Sequence, residues 1–304
     1  MKDKQASRGL YDPSFEHDNC GVGFIANLDG TRSHDTISDA LDALACLKHR
    51  GAIDADDKTG DGAGVQFEIP QEFFRKEYER LSGTEAKEGP IAVGMVFLPP
   101  DTAHEVRGVI NYTLRDRGYE FVYRDVPTNP YSLGKKARNT QPLIQQIIVT
   151  AEEGTDRLDL DRGLYAARKE ASYRANQMDV EEPYFASFSC RRIVYKGLML
   201  ADKLREFYPD LSRDDYRSAY CVFHQRYSTN TFPAWPLAQP FDVLGHNGEI
   251  NTLFGNLNGT RLREADLHSP IWGDDLRYIT PILDQDQSDS AQLDNVVELL
   301  TLSG

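Results

Sequence analysis

Asp18-Asn19-Cys20-Gly21-Val22-Gly23-Phe24-Ile25 sets a thiol directly before a short apolar run, with 19 residues ahead of it. If the Asn19–Cys20 bond is cut, that thiol gains a neighbour no internal cysteine has, its own α-amino group. Such an amine has a reference pKa of about 7.7–8.0, in the range where a general base works at neutral pH. Nucleophile and base then share one residue, and no histidine is needed to activate the sulfur. Residues 1–19 are therefore expected to be a leader that is removed, and 20–304 the functional domain.

The charge balance narrows the function. There are 48 acidic and 34 basic side chains, a net charge of −14. Nucleic-acid binding needs a basic face, so it is not expected. No apolar run approaches the roughly 18 residues of a membrane span. The first 19 residues scatter charges and hold no apolar stretch of the secretory kind, so neither membrane nor export is expected. Cys20, Cys46, Cys190 and Cys221 lie far apart with no C-x-x-C pair. That spacing fits neither a disulfide framework nor a zinc or iron–sulfur ligand set. A reduced, cytoplasmic setting without a metal site is the expectation.

Outward from Cys20, strands are predicted over 22–28, 65–69, 91–98, 119–126, 142–150, 184–195 (a strand or hairpin), 220–223 and 242–244. Helices are predicted over 36–48, with Gly51 as a stop, and over 102–117, 160–178, 198–207 and 293–302. Several strands follow one another closely, so a layered α+β domain is favoured over a parallel α/β sheet. The last helix is still running at Gly304, as at the edge of a longer polypeptide. The proline-rich stretch 231–240 reads as a stiffened lid or wall of a pocket.

The chemistry is carried by widely separated motifs. They are Cys20-Gly21-Val22-Gly23-Phe24, Lys48-His49-Arg50-Gly51-Ala52 with Thr59-Gly60-Asp61-Gly62-Ala63-Gly64, His224-Gln225-Arg226-Tyr227-Ser228-Thr229-Asn230-Thr231, Gly245-His246-Asn247-Gly248-Glu249-Ile250-Asn251 and Ser288-Asp289-Ser290. By residue type, Arg226 could hold a carboxylate in a bidentate fork, and Asp289 could pair with an ammonium. Attack by Cys20 on an amide creates an oxyanion, which needs donors already in place; the Asn247 side-chain amide and the Gly248 N–H are suitable.

Together these stretches resemble the class II glutamine amidotransferase domain of glutamate synthase, over essentially the whole chain. The cysteine start with H-R-G is common to class II amidotransferases. The Arg-Tyr-Ser-Thr-Asn-Thr-Phe-Pro stretch, the Thr-Gly-Asp-Gly-Ala-Gly loop and the long Gly64–Ala219 insertion resemble glutamate synthase in particular. The resemblance implies the four-layer αββα sandwich of N-terminal-nucleophile hydrolases. It implies Cys20, Asn247 and Gly248 as catalytic residues, Arg226 and Asp289 as glutamine-binding ones, and Arg50 and Thr229 as their support. It also implies no cofactor in this chain. FMN and an iron–sulfur cluster would belong to a synthase portion that aminates 2-oxoglutarate, with an electron-donating subunit or carrier as a further partner.

Taken singly, each residue has an ordinary explanation. Cys20 would be a core thiol, Arg226 a surface ion pair, Asn247-Gly248 a turn and Asp289 a solvated carboxylate at a helix start. Gly60–Gly64 lacks the G-K-[ST] of a phosphate loop and reads as a turn before a strand. Asp284-x-Asp286-x-Ser288 lacks the glycine and glutamate of a calcium loop. His49, His224 and His246 are expected to be structural. The alternatives are another class II amidotransferase, a Cys/His hydrolase using His224 or His246, and a non-enzymatic interaction module.

Overall fold

The strand carrying Gly21 onward and the strand ending at Arg226 are neighbours, and the rest of the molecule is organised around that pair. The computed structural model describes residues 21–56, 58–226, 233–283 and 287–304. In chain order these form β1 (Val22–Ala26), α1 (His34–Cys46), β2 (Ala63–Glu68), α2 (Gln71–Ser82), β3 (Ile91–Leu98) and α3 (Ala103–Asp116). Next come β4 (Glu120–Asp125), α4 (Lys135–Asn139), β5 (Leu143–Thr150), α5 (Arg157–Gln177), β6 (Tyr184–Ser189) and β7 (Arg192–Gly197). The remainder is α6 (Leu204–Phe207), β8 (Tyr220–Gln225), α7 (Leu253–Glu264), α8 (Leu276–Ile279) and α9 (Asp289–Ser303).

Two four-stranded sheets result, ordered β1-β8-β2-β7 and β4-β5-β3-β6. Every pairing among the described residues is antiparallel. Mixed α and β with antiparallel sheets is what the element spacing predicts. Side chains of both sheets, including Val65, Phe67 and Tyr195 from the first and Val93, Met95 and Phe97 from the second, join α1 and α2 in one core. The opposite face of the second sheet, with Ala92, Val96 and Ile147, packs on α3 and α5. All eight residues of β3 are buried, which explains its unbroken apolar sequence.

Three sequence expectations need correction. The 184–195 stretch is not a hairpin: β6 pairs with β3, whereas β7 pairs with β2, so the chain changes sheets at Cys190-Arg191. Asp161 of α5 stabilises that step, its Oδ1 accepting from Cys190 N at 2.7 Å and Ser189 Oγ at 3.0 Å. Residues 242–244 are not a strand, because the Val243 N–H donates to the Asp294 carboxylate at 2.9 Å and that of Phe241 to Leu244 O at 2.8 Å. The 198–207 helix shrinks to a 3-10 turn over Ala201–Lys203 and the single turn of α6. Helices α2 and α7 are additions. α2 begins after Pro70 and ends at Gly83 (φ +71°), a Pro-start, Gly-stop pattern legible in principle. α7 buries only Leu257 and has no apolar stripe to reveal it.

Candidate active site

The separated motifs converge where β1 begins and β8 ends. Gly21 O accepts the Gln225 N–H at 2.7 Å. A Cβ on Gly21 would lie 2.5 Å from Gln225 O and 3.3 Å from Asn247 Oδ1, so only glycine lets this strand end approach both. The 3-10 turn Leu47–Arg50 brings in Arg50 and Gly51. A Cβ on Gly51 would fall 2.3 Å from Gln225 Nε2 and 3.0 Å from Asp61 Oδ1. Gln225 ties the loop to the strand, its Nε2 donating to Gly62 O at 3.0 Å and Asp61 Oδ1 at 3.2 Å.

Arg226 leaves β8 with φ +132°, a conformation that favours glycine. Its N–H donates to Gly62 O at 2.8 Å and its carbonyl accepts from Gln239 N at 3.4 Å, so neighbours on both sides hold the strained backbone. The side chain is exposed. Asp61, buried beside it, is pushed above the usual carboxylate range by burial, an effect opposed in part by the Arg226 charge.

The 245–251 segment reaches the same end from the other side. His224 is 1% exposed, its Nε2 3.0 Å from His246 O. A carbonyl only accepts, so Nε2 carries the proton, and burial pushes the imidazole pKa down to about 4. The ring is neutral at physiological pH and braces the segment. His246 N donates to Gln239 Oε1 at 3.0 Å. Asn247 is half-buried and Gly248 exposed.

α9 supplies the acid. Ser288 caps it by accepting from Ala291 N at 3.2 Å, which starts the helix and puts Asp289 in its first turn. Asp289 is 4% exposed, not the solvated carboxylate of a typical helix start. Its Oδ2 accepts from Ile250 N at 2.8 Å, and its Oδ1 from Ser290 N at 2.6 Å. The helix terminus and the Asn247 segment are thus directly joined.

Of the residues singled out from sequence, Gly21, Gly51, Arg226, Asn247 and Asp289 fall into this one network. Cys20 and Thr229 lie outside the described residues, as do the leader 1–19 and Asp284–Asp286. Asp61, Gln225 and Ser290 lie within the motifs quoted from the sequence, yet sequence reasoning assigns them no role, and Gln239 carries no signal of its own. Of the expected lid or wall at 231–240, the described residues 233–240 form a wall: Trp235 is 3% exposed, meets Phe97 edge-on and Phe207 at a tilt, and donates from Nε1 to Ala137 O at 3.2 Å. Cys46, Cys190 and Cys221 are unbridged; burial pushes the Cys190 thiol up to about 12 and raises that of Cys221, which disfavours the thiolate at both. Among the described residues no group of three or more His, Cys, Asp or Glu side chains is arranged to hold a metal, and no helix is long and apolar enough to cross a membrane.

The motif set agrees with comparison to known proteins. The chain belongs to the class II glutamine amidotransferases, whose family model matches residues 20–304. Within that class it is similar to glutamate synthases. It is 42% identical over 299 residues to the glutamate synthase [NADPH] large chain of Azospirillum brasilense, covering 97% of this chain and 20% of that protein. It is 45% identical over 293 residues to ferredoxin-dependent glutamate synthase 2 of a Synechocystis strain, covering 95% and 19%. It is 43% identical over 309 residues to the chloroplastic ferredoxin-dependent glutamate synthase of Oryza sativa subsp. japonica, covering 100% and 19%. The chain therefore spans about a fifth of the length of these relatives.

Proposed function

We propose that this chain is the ammonia-producing part of a glutamate synthase, hydrolysing L-glutamine to glutamate after residues 1–19 are removed. The Cys20 thiol attacks the glutamine side-chain carbonyl while its α-amine accepts the thiol proton. The C–N bond then breaks, the nitrogen takes that proton and leaves as ammonia, and a γ-glutamyl thioester remains for water to open. Asn247 Nδ2 and the Gly248 N–H stabilise the oxyanion. Arg226 binds the substrate carboxylate and Asp289 its ammonium, with Arg50 and Thr229 in support.

The observation that carries this proposal is the joining of Gly21, Gly51, Asp61, Arg226, Asn247 and Asp289 at one end of the first sheet. Cys20 immediately precedes Gly21 in the sequence. The neutral, inward-facing His224 gives no support to a Cys/His hydrolase. The αββα layering is proposed on the same footing, supported by a core shared between the sheets and by α3 and α5 on the far face of the second. A synthase portion carrying FMN and an iron–sulfur cluster would consume the ammonia, in a cytoplasmic setting suited to unbridged thiols. Relatives named for NADPH and for ferredoxin leave both donors as partners to test.

Intact mass and a glutaminase assay test the proposal together. The active protein should begin at Cys20, and Cys20→Ala should keep its leader and release no ammonia. Arg226→Lys, which retains charge but loses the fork, should raise the KM for glutamine by about tenfold. An active Cys20→Ala chain, or full activity with residues 1–19 in place, would refute the mechanism.

A further inference from the structure

A buried polar stripe on α9 has no part in the chemistry above. Ser290, Asp294 and Glu298 recur every four residues and so share one helix face. They are 1%, 7% and 2% exposed. Each meets the segment that leads into Asn247, in antiparallel order. Ser290 Oγ is 3.3 Å from His246 Nδ1, and Asp294 Oδ1 accepts from Val243 N at 2.9 Å. Glu298 pairs with Arg168 of α5, whose Nη1 stands 3.8 Å from Asp242 Oδ2.

The start of the segment, Asp242, is also held from the first sheet. Arg192 of β7 grips the Asp242 carboxylate at 3.0 and 3.1 Å, and Gln66 of β2 donates to Asp242 O at 2.6 Å. The segment is thus clamped between a sheet and three successive turns of one helix. The first turn of that helix carries Asp289, and the segment runs on into Asn247 and Gly248.

We infer that Asp294 is a positioning residue: through the Val243 N–H it sets the spacing between the ammonium-binding end of α9 and the oxyanion donors at Asn247 and Gly248. The inference rests on the roles proposed for Asp289, Asn247 and Gly248. A glutamine anchored by its ammonium and carboxylate presents its side-chain carbonyl at a fixed distance from those anchors. Releasing the segment from α9 shifts the donors relative to that carbonyl while the anchors stay in place. Such a shift removes stabilisation of the transition state more than of the bound substrate, so kcat falls and KM holds. The required property of residue 294 is an acceptor oxygen at the end of a two-carbon side chain, which asparagine also provides.

Steady-state glutamine hydrolysis by the leader-free chain tests this. Asp294→Ala should lower kcat by about tenfold or more while KM stays within about threefold, since misplacement of about 1 Å can cost 10²-fold. Asp294→Asn, which still accepts from Val243, should return kcat to within about threefold of the parent. If Asp294→Ala does not fold, Asp294→Ser takes its place, because its oxygen is drawn back by one bond, and the same split is expected. Unchanged kcat in the shortened variant, loss confined to KM, or loss that asparagine fails to rescue would each overturn the positioning role. Cys20→Ala is assayed alongside. If it hydrolyses glutamine, the proposed function itself fails; if it is inactive while the shortened variant turns over normally, only the positioning role fails.

Discussion

Removing the Asp242 carboxylate should destabilise the fold by an amount the geometry bounds. Asp242 is 4% exposed and accepts from Arg192 Nε at 3.1 Å and Nη2 at 3.0 Å, with Arg168 Nη1 at 3.8 Å. Breaking a buried ion pair from one side typically costs about 3–5 kcal/mol, because a charge is left without its partner. Here neither cation is wholly stranded. Arg192 Nε keeps Asp242 O at 2.6 Å, and Arg168 keeps Glu298. The lower end, about 3 kcal/mol, is therefore expected for Asp242→Ala. With an unfolding entropy of about 2.1 cal/mol/K per residue, 304 residues give about 0.6 kcal/mol per degree, so Tm should fall by about 5 °C. Replacing the pair together, as Asp242→Ala with Arg192→Met, should recover part of the loss, since apolar substitution of both partners is often near neutral. Urea and thermal unfolding followed by circular dichroism supply both numbers. A loss below about 1 kcal/mol for Asp242→Ala, or strict additivity in the double variant, would refute the ion-pair account.

Two further outcomes follow from packing and burial. Gly21→Ala should cost about 1–3 kcal/mol and reduce glutamine hydrolysis, because its Cβ would meet Gln225 O at 2.5 Å and crowd Asn247 Oδ1 at 3.3 Å; normal stability and turnover would show that the strand end is looser than these contacts require. Burial raises the Glu298 carboxyl from 4.5 to about 7, with Asp242 and Asp294 adding to the shift and Arg168 and Arg192 opposing it. The native state therefore holds a proton that the unfolded chain releases above its ordinary carboxyl pKa, and this contribution to stability is lost as pH rises from about 4.5 through about 7. Glu298→Gln cannot lose that proton, so its Tm relative to the parent should climb over this interval, and a difference independent of pH would contradict the assignment.

How much of the fold is legible in the sequence depends on how local each cause is. β3 is a continuous apolar run because both its faces are covered, and continuity is visible in one dimension. α5 and α3 follow their periodicity. α7 leaves no such trace because it buries one side chain; α2 does leave one, since Phe74, Tyr78 and Leu81 fall at i, i+4 and i+7 between Pro70 and Gly83, and its absence from the sequence reading is an oversight rather than a missing signal. The 184–195 stretch misleads for a different reason. Two strands separated by two residues normally make a hairpin, and nothing local records that Asp161 of a preceding helix collects the donors of the step between sheets.

The same division applies to the site. The Cys20, H-R-G, Arg226, Asn247-Gly248 and Asp289 motifs are legible in the sequence as a set of residue types and spacings, which is what the family model matches. Family membership follows from them. Their arrangement is decided by tertiary structure: the antiparallel pairing of β1 with β8, the absence of a side chain at Gly21 and Gly51, and the buried contacts of α9 with residues 242–246. These contacts join positions tens to hundreds of residues apart through backbone donors and buried charges. Backbone groups are the same at every residue, and a buried carboxylate is written with the same letter as a solvated one, so only the folded chain distinguishes them.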